Sequence, residues 1–153
     1  MHSRIFQVSL DPFCDEKDYI TKDTYYDHWF VVEIADYVDD SNREKDIEWL
    51  KDVAKGYHVD ADENGVFLVV TSKEEYFETA FKRFKTAIES IQDCTIEDFA
   101  GGFKEIWEIK DSYEDKFAFW IDADGEMMPF DRFIRLCAKD EKYYIGGTVD
   151  YHF

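Results

Sequence analysis

The stretch from Gly65 to Gln92 constrains the fold more than any other, because it joins a buried strand to a long amphipathic helix. Val66 to Val70 is a continuous apolar run rich in β-branched residues, which is typical of a strand covered on both faces. Ser72 is the predicted N-cap of the helix, and Glu75 is placed to close a capping box. Apolar residues then recur at helical spacing and predict one buried face, formed by Phe77, Ala80, Phe81, Phe84, Ile88 and Ile91.

The remainder of the chain shows further strand and helix patterns. One helix is predicted to begin at a cap formed by Ser41 or Asn42 and to end at Gly56. Another is predicted from Pro129 to Cys137, where Pro129 suits a first helical turn. Gly146 and Gly147 permit a bulge in the closing strand. Alternating or apolar runs predict the other strands at 3–10, 29–38, 57–60, 103–109, 116–122 and 143–153, although 103–109 also fits a helix.

From residue 29 to residue 109 the predicted order is strand, helix, strand, strand, helix, strand. This order matches the βαββαβ core of a ferredoxin-like fold. We therefore predict a single domain over residues 1–153 with an α+β fold, a mainly antiparallel sheet and about three helices. A ferredoxin-like core with added strands is one topology that fits this pattern.

The net charge of −18 arises from 36 acidic and 18 basic residues and exceeds what a small domain needs for solubility. The acidity is concentrated in two segments, residues 11–40 with a net charge of −8 and residues 89–126 with a net charge of −9. No segment is strongly basic, which argues against direct binding of nucleic acid through its phosphates.

Cysteine usage and the N-terminal sequence bear on the cellular compartment. Cys14, Cys94 and Cys137 are odd in number and far apart, which favours reduced thiols. No apolar signal segment or transmembrane run is apparent, so we expect a soluble, cytoplasmic protein with no membrane partner.

The strongest metal-like motif is the run from Asp60 to Gly65, which matches the first half of an EF-hand calcium loop, and the run from Asp122 to Glu126 is weaker. Thr71 stands where the bidentate Glu of that loop belongs, so a hairpin turn is favoured over a metal site. The four histidines lack zinc-site spacing, and no nucleophile or phosphate-binding motif occurs. We expect no metal, no cofactor and no catalytic residues.

The charge distribution leads to the main functional hypothesis. Carboxylates at alternate strand positions are about 6.5 Å apart, from a rise of about 3.3 Å per residue, which resembles the phosphate spacing of a nucleic-acid strand. If the two acidic segments lie together, they form a surface suited to a basic partner. In size and charge alone, the chain is similar to phage-encoded DNA mimics, such as anti-CRISPR and antirestriction proteins, and to nuclease-toxin immunity proteins.

We therefore predict a non-catalytic acidic inhibitor of a basic protein, such as a nuclease or another nucleic-acid-binding protein. Aromatic side chains among the carboxylates are the expected anchors of the complex. The predicted partner-binding residues are Asp15, Glu16, Asp18, Asp23, Tyr25, Tyr26, Asp36, Asp39, Asp40, Glu97, Asp98, Glu105, Trp107, Glu108, Asp111, Glu114 and Asp115.

Two other classes of protein remain open. One is a small intracellular domain that binds a ligand or a protein and whose acidity is incidental; its ligand would occupy a pocket lined by the many aromatic residues. The other is a small enzyme, because carboxylates are abundant, although no catalytic motif supports it.

Overall fold

The computed structural model describes residues 1–153 and contains a seven-stranded sheet with six α-helices. An α+β fold with a mainly antiparallel sheet is thus confirmed. The helices are α1 (Trp29–Glu33), α2 (Arg43–Asp52), α3 (Lys73–Gln92), α4 (Ile96–Gly101), α5 (Glu105–Tyr113) and α6 (Phe130–Leu136). The strands are β1 (His2–Ser9), β2 (Tyr37–Asp40), β3 (Tyr57–Asp62), β4 (Gly65–Val70), β5 (Trp120–Ala123), β6 (Glu126–Pro129) and β7 (Lys142–His152).

The long strand β7 lies at the centre of the sheet, whose order is β3-β4-β7-β1-β5-β6. β1 pairs with β7 along most of its length, so β4 and β2 share the opposite side of β7. β4 pairs with residues 142–144 and β2 with residues 149–152. Every pairing is antiparallel except that of β1 with β5.

A β-bulge interrupts the pairing of β1 with β7, as Gly146 and Gly147 predicted. Phe6 lies opposite Thr148 and Val8 opposite Ile145, so the two glycines together face a single residue of β1. Glycine is needed here because a Cβ atom on Gly147 would lie 2.5 Å from the carbonyl oxygen of Ile20. The extra residue turns the side chains of β7 to the other face of the sheet beyond the bulge.

Each face of the sheet has its own hydrophobic core. Phe6, Val8 and Ile121 belong to the larger core, which is covered by α2, by α6 and by the start of α3. Ile5 and Trp120 belong to the second core. The connection between β1 and β2 covers this second core and contributes Ile20, Tyr25, Phe30 and Ala35 to it.

The prediction of about three helices is wrong, and the ferredoxin-like core is not confirmed, because two of its four predicted strands contain helices. Residues 29–33 form α1, where His28 Nδ1 accepts a hydrogen bond from the Phe30 backbone N–H at 3.3 Å. The helical turn places Phe30 fully inside the second core, with its ring 4.9 Å from that of Trp120. Residues 105–113 form α5, whose less exposed side carries Glu105, Ile109 and Ser112.

The helix α3 begins as predicted, but its apolar face does not lie in the core. Ser72 Oγ accepts a hydrogen bond from the Glu75 backbone N–H at 3.1 Å, whereas the reciprocal bond of a capping box is not formed. Ala87 is the only buried residue of α3, and the Phe81 side chain is 61 % exposed. The reason is that α3 packs chiefly against α5 rather than against the sheet.

We expect Phe130→Ala to destabilise the protein much more than Phe81→Ala. Phe130 is fully buried and its ring contacts those of Tyr57, Tyr76 and Phe119, so its truncation should cost about 3–5 kcal/mol of unfolding free energy. Phe81 is largely solvated, so its truncation should cost less than about 1 kcal/mol. Urea denaturation of both variants measures the difference, and equal losses would show that α3 is packed against the core.

Candidate functional site

Most acidic candidates of the first segment lie on the connection that covers the second core. Asp15 caps a 3-10 turn that contains Glu16 and Asp18, and Asp23 lies in the next such turn. All four carboxylates are exposed, and Tyr26 beside them is 82 % exposed. These residues are therefore available at the surface, as the sequence predicted.

Asp36, Asp39 and Asp40 also lie at the surface, but each contacts a neighbouring basic side chain. The ammonium group of Lys22 lies 3.0 Å from Asp39 and 3.4 Å from Asp40, and His152 lies 3.1 Å from Asp36. The hydrogen bond from Lys22 lowers the pKa of Asp39. Because β2 pairs on one side only, acidic side chains here also discourage edge-to-edge association.

Tyr25 does not lie on a partner-binding surface, because it is only 1 % exposed. Its hydroxyl donates a 2.7 Å hydrogen bond to Asp122 Oδ2, and Asp122 Oδ1 accepts a hydrogen bond from the Gly125 backbone N–H at 2.8 Å. Burial raises the pKa of Tyr25, so the phenol stays protonated and remains a donor. This pair links the connection over the second core to the hairpin of β5 and β6.

We expect Tyr25→Phe to lower the free energy of unfolding by about 1.5–3 kcal/mol, the range for a hydrogen bond to a charged group. The substitution leaves the buried Asp122 with one partner fewer. Tyr26→Phe is the matched control and should change stability by less than about 0.5 kcal/mol, because Tyr26 is exposed. Denaturant titration of both variants is the measurement. Equal effects would contradict the structural role assigned to Tyr25.

The second acidic segment lies mainly on α4 and α5, which together with α3 form a helical arm (residues 73–113). Glu97, Asp98 and Glu105 line one concavity of about 500 Å³ on this arm, together with Asp93 and Lys104. The structure thus brings together three of the predicted partner-binding carboxylates. Asp98 also caps α4, and hydrogen bonds from Thr95 lower its pKa.

Apolar side chains are exposed on the same arm. Ile96 is 82 % exposed on α4, where Phe99 is also exposed, and Trp107 is 62 % exposed on α5. Asp111 lies one helical turn after Trp107 and is exposed as well. Large exposed apolar side chains, aromatic ones above all, are characteristic of protein-binding surfaces.

The remaining candidates of the second segment contact other parts of the fold. Glu108 forms a 2.9 Å ion pair with Arg83 of α3, and Glu114 forms a 2.6 Å ion pair with Arg132 of α6. Asp115 donates its backbone N–H to Asp131 and accepts the N–H of Phe117, so it shapes the turn between α5 and β5.

The first acidic segment and the helical arm lie on different faces of the sheet. The first covers the second core, whereas the arm extends from the opposite face, where α3 begins against the larger core. Eight acidic side chains form ion pairs with Lys or Arg and two more contact a histidine, so 26 of the 36 have no basic partner. The negative charge is therefore largely uncompensated on both sides of the sheet.

Two polar clusters were not expected from the sequence. His2 and His152 are adjacent across β1 and β7, with ring centroids 5.0 Å apart, and His2 lies 2.6 Å from Asp150. Asp46 is buried and accepts hydrogen bonds from Arg4 at 2.5 Å and from Thr148 at 2.9 Å. Pairing of the first and last strands creates both clusters, so predicting that pairing would have been the way to find them.

The half-matched calcium loop is a hairpin turn between β3 and β4, as favoured above. Asp62 Oδ1 accepts the Asn64 backbone N–H at 2.9 Å, and Lys142 lies 2.5 Å from Asp62 Oδ2 and lowers its pKa. Within residues 1–153 no three His, Cys, Asp or Glu side chains are arranged to hold a metal ion. None of the helices has the length and apolar character needed to span a membrane.

No protein family, curated protein or solved structure matches this chain.

The uncompensated charge predicts that salt stabilises the protein. Between about 0.01 M and about 0.1 M NaCl the screening length falls from about 30 Å to about 10 Å, which weakens repulsion among exposed carboxylates. Relief of about 1 kcal/mol should raise Tm by about 2–4 °C for a chain of this length. Thermal unfolding followed by circular dichroism at the two salt concentrations is the test. A lower Tm at the higher concentration would mean that attractive ion pairs dominate.

Proposed function

We propose that this protein is a non-catalytic acidic inhibitor that binds a basic, nucleic-acid-acting protein through its helical arm. The observation that carries the proposal is the concavity lined by Glu97, Asp98 and Glu105, next to exposed apolar side chains of α4 and α5. Anti-CRISPR proteins, antirestriction proteins and nuclease-toxin immunity proteins are the classes to which such an inhibitor would belong.

The arrangement suits recognition of lysine or arginine side chains. Carboxylates around a concavity accept charge-assisted hydrogen bonds from a basic side chain placed inside it. Exposed Ile96, Phe99 and Trp107 provide apolar area that a partner would bury, and such aromatic anchors dominate the energy of many interfaces. The net charge of −18 would accelerate association with a basic partner over longer distances.

The first acidic segment is assigned a secondary role. Asp39 and Asp40 are held by Lys22 at the edge of the sheet, and a partner would have to compete with that lysine. Exposed Glu16, Asp18 and Asp23 form no ion pair and add to the long-range attraction.

We also propose that the protein is cytoplasmic. Cys14, Cys94 and Cys137 are all free, and Cys14 is exposed. Unpaired thiols are the usual state of cysteine in a reducing compartment.

Three double charge reversals test the proposal, each changing the net charge by the same amount. Glu97→Lys with Glu105→Lys alters the concavity, and Asp39→Lys with Asp40→Lys alters the β2 edge. Glu48→Lys with Asp52→Lys is the matched control, because these exposed residues of α2 form no ion pair. The wild-type protein and the concavity variant serve as parallel baits in a host-cell pull-down, and association rates of all variants with the recovered basic protein are then measured.

We expect the concavity variant to associate with the basic protein at least about 10-fold more slowly than the control variant, within the range seen for electrostatic steering. The wild-type protein should also displace nucleic acid from this partner, and the concavity variant should not. Circular dichroism spectra identical to wild type are required of each variant. Equal association rates for the three variants would mean that the acidity is incidental, which favours the alternative class of ligand- or protein-binding domain.

A further inference from the structure

An open cavity of about 430 Å³ lies between α3, α5 and α6, away from the acidic concavity. Its volume falls within the usual range of small-molecule sites. Phe81 and Tyr113 are about three-fifths exposed, at 61 % and 58 %, so both form part of an open rim. One wall is the apolar face of α3, formed by Phe77, Ala80, Phe81 and Phe84.

Both charged residues that line the cavity, Lys73 and Arg135, are cationic. This is unexpected in a protein with 36 acidic residues, none of which lines the cavity. The Lys73 ammonium donates hydrogen bonds to the carbonyl oxygens of Arg135 at 2.8 Å and Cys137 at 2.7 Å. It is thereby fixed at the end of α6, where a cation is favourable to the helix dipole.

The guanidinium of Arg135 lies between two aromatic rings, 4.1 Å from the centre of the Phe77 ring and 4.2 Å from that of Tyr113. One terminal nitrogen donates to the Tyr113 carbonyl oxygen. The other, Nη1, is buried and is the only buried side-chain nitrogen or oxygen without a hydrogen-bond partner in residues 1–153. A buried donor of this kind is costly unless an acceptor is supplied.

We propose that this cavity binds a small apolar monocarboxylate, such as a medium-chain fatty acid or an aryl carboxylate. Its apolar body would lie along Phe77, Phe81 and Phe84, and its carboxylate would face Arg135 and Lys73. Two observations carry the assignment: an apolar wall and two cations at one end of it. Arg135 Nη1 is buried at this end and has no acceptor within the protein. A neutral apolar ligand would leave the cations without a counter-charge.

The site shares no residue with the acidic concavity. The ligand-binding proposal is therefore independent of the inhibitor proposal, and each can fail without the other. Occupation would also bury the exposed part of Phe81. It would therefore explain why the most regular apolar stripe of the sequence is not covered by the rest of the chain.

Isothermal titration calorimetry with octanoate tests the proposal, with 1-octanol as the uncharged probe. We expect saturable one-to-one binding of octanoate, and binding of 1-octanol at least about 10-fold weaker, since a charge-assisted hydrogen bond would be missing. Arg135→Gln should weaken octanoate binding by about 10-fold or more. Arg132→Gln is the matched control on α6, because Arg132 is exposed and pairs with Glu114 outside the cavity.

Phe81→Asp guards against the case in which Arg135→Gln unfolds the protein. Phe81 is exposed, so this variant should fold, and its carboxylate should repel the ligand and abolish octanoate binding. Absence of saturable octanoate binding would overturn the proposal. So would equal binding of octanoate and octanol, which indicates a neutral ligand, or unchanged octanoate affinity in Phe81→Asp.

Discussion

The β-bulge in the pairing of β7 with β1 is the constraint on which most of the structure depends. Opposite it, Gln7 Oε1 accepts hydrogen bonds from the backbone N–H groups of Gly147 at 2.9 Å and Ile20 at 3.0 Å, and Gln7 Nε2 donates to the Asp18 carbonyl oxygen. One side chain thus fixes both the bulge and the connection over the second core. On the open side of β7, between β4 and β2, the Arg43 guanidinium donates to two strand carbonyl oxygens and anchors the start of α2.

This arrangement explains how a chain with a net charge of −18 remains folded. Both faces of the sheet are closed by aromatic side chains, and the one carboxylate of the larger-core face that is fully enclosed, Asp46, has Arg4 and Thr148 as partners. Asp46 is thereby paired with a cation, and the buried Asp122 is hydrogen-bonded to Tyr25 and Gly125. Most other carboxylates stay in water, where their repulsion is screened. Surface carboxylates can therefore be gained or lost without disturbing the core, so their number and position are not restricted by folding.

The sequence was sufficient for the elements whose signals are local. The β3–β4 hairpin, the Ser72 cap, the helix α6 and the Gly146–Gly147 bulge all depend on neighbouring residues and are confirmed. The strand prediction for residues 29–38 is wrong over Trp29–Glu33, because Phe30, Val31 and Ile34 also fit one side of a short helix that buries Phe30. Tyr37 and Val38 do belong to strand β2. For the predicted partner-binding carboxylates, exposure at the surface could be inferred from their charge. The grouping of Glu97 with Glu105 depends on tertiary packing, which no local sequence pattern encodes.

The helical arm shows how this limit bears on function. Periodicity correctly predicts an apolar face on α3, but it does not say what that face contacts. The sheet is already covered by α2 and α6, so most of α3 packs on α5 instead, and its phenylalanines line an open cavity. The arm therefore contributes little to either core while it carries the acidic concavity and the cationic, apolar cavity. The proposed binding surfaces lie on an element that contributes little to the cores, so their sequences can change at little cost to folding.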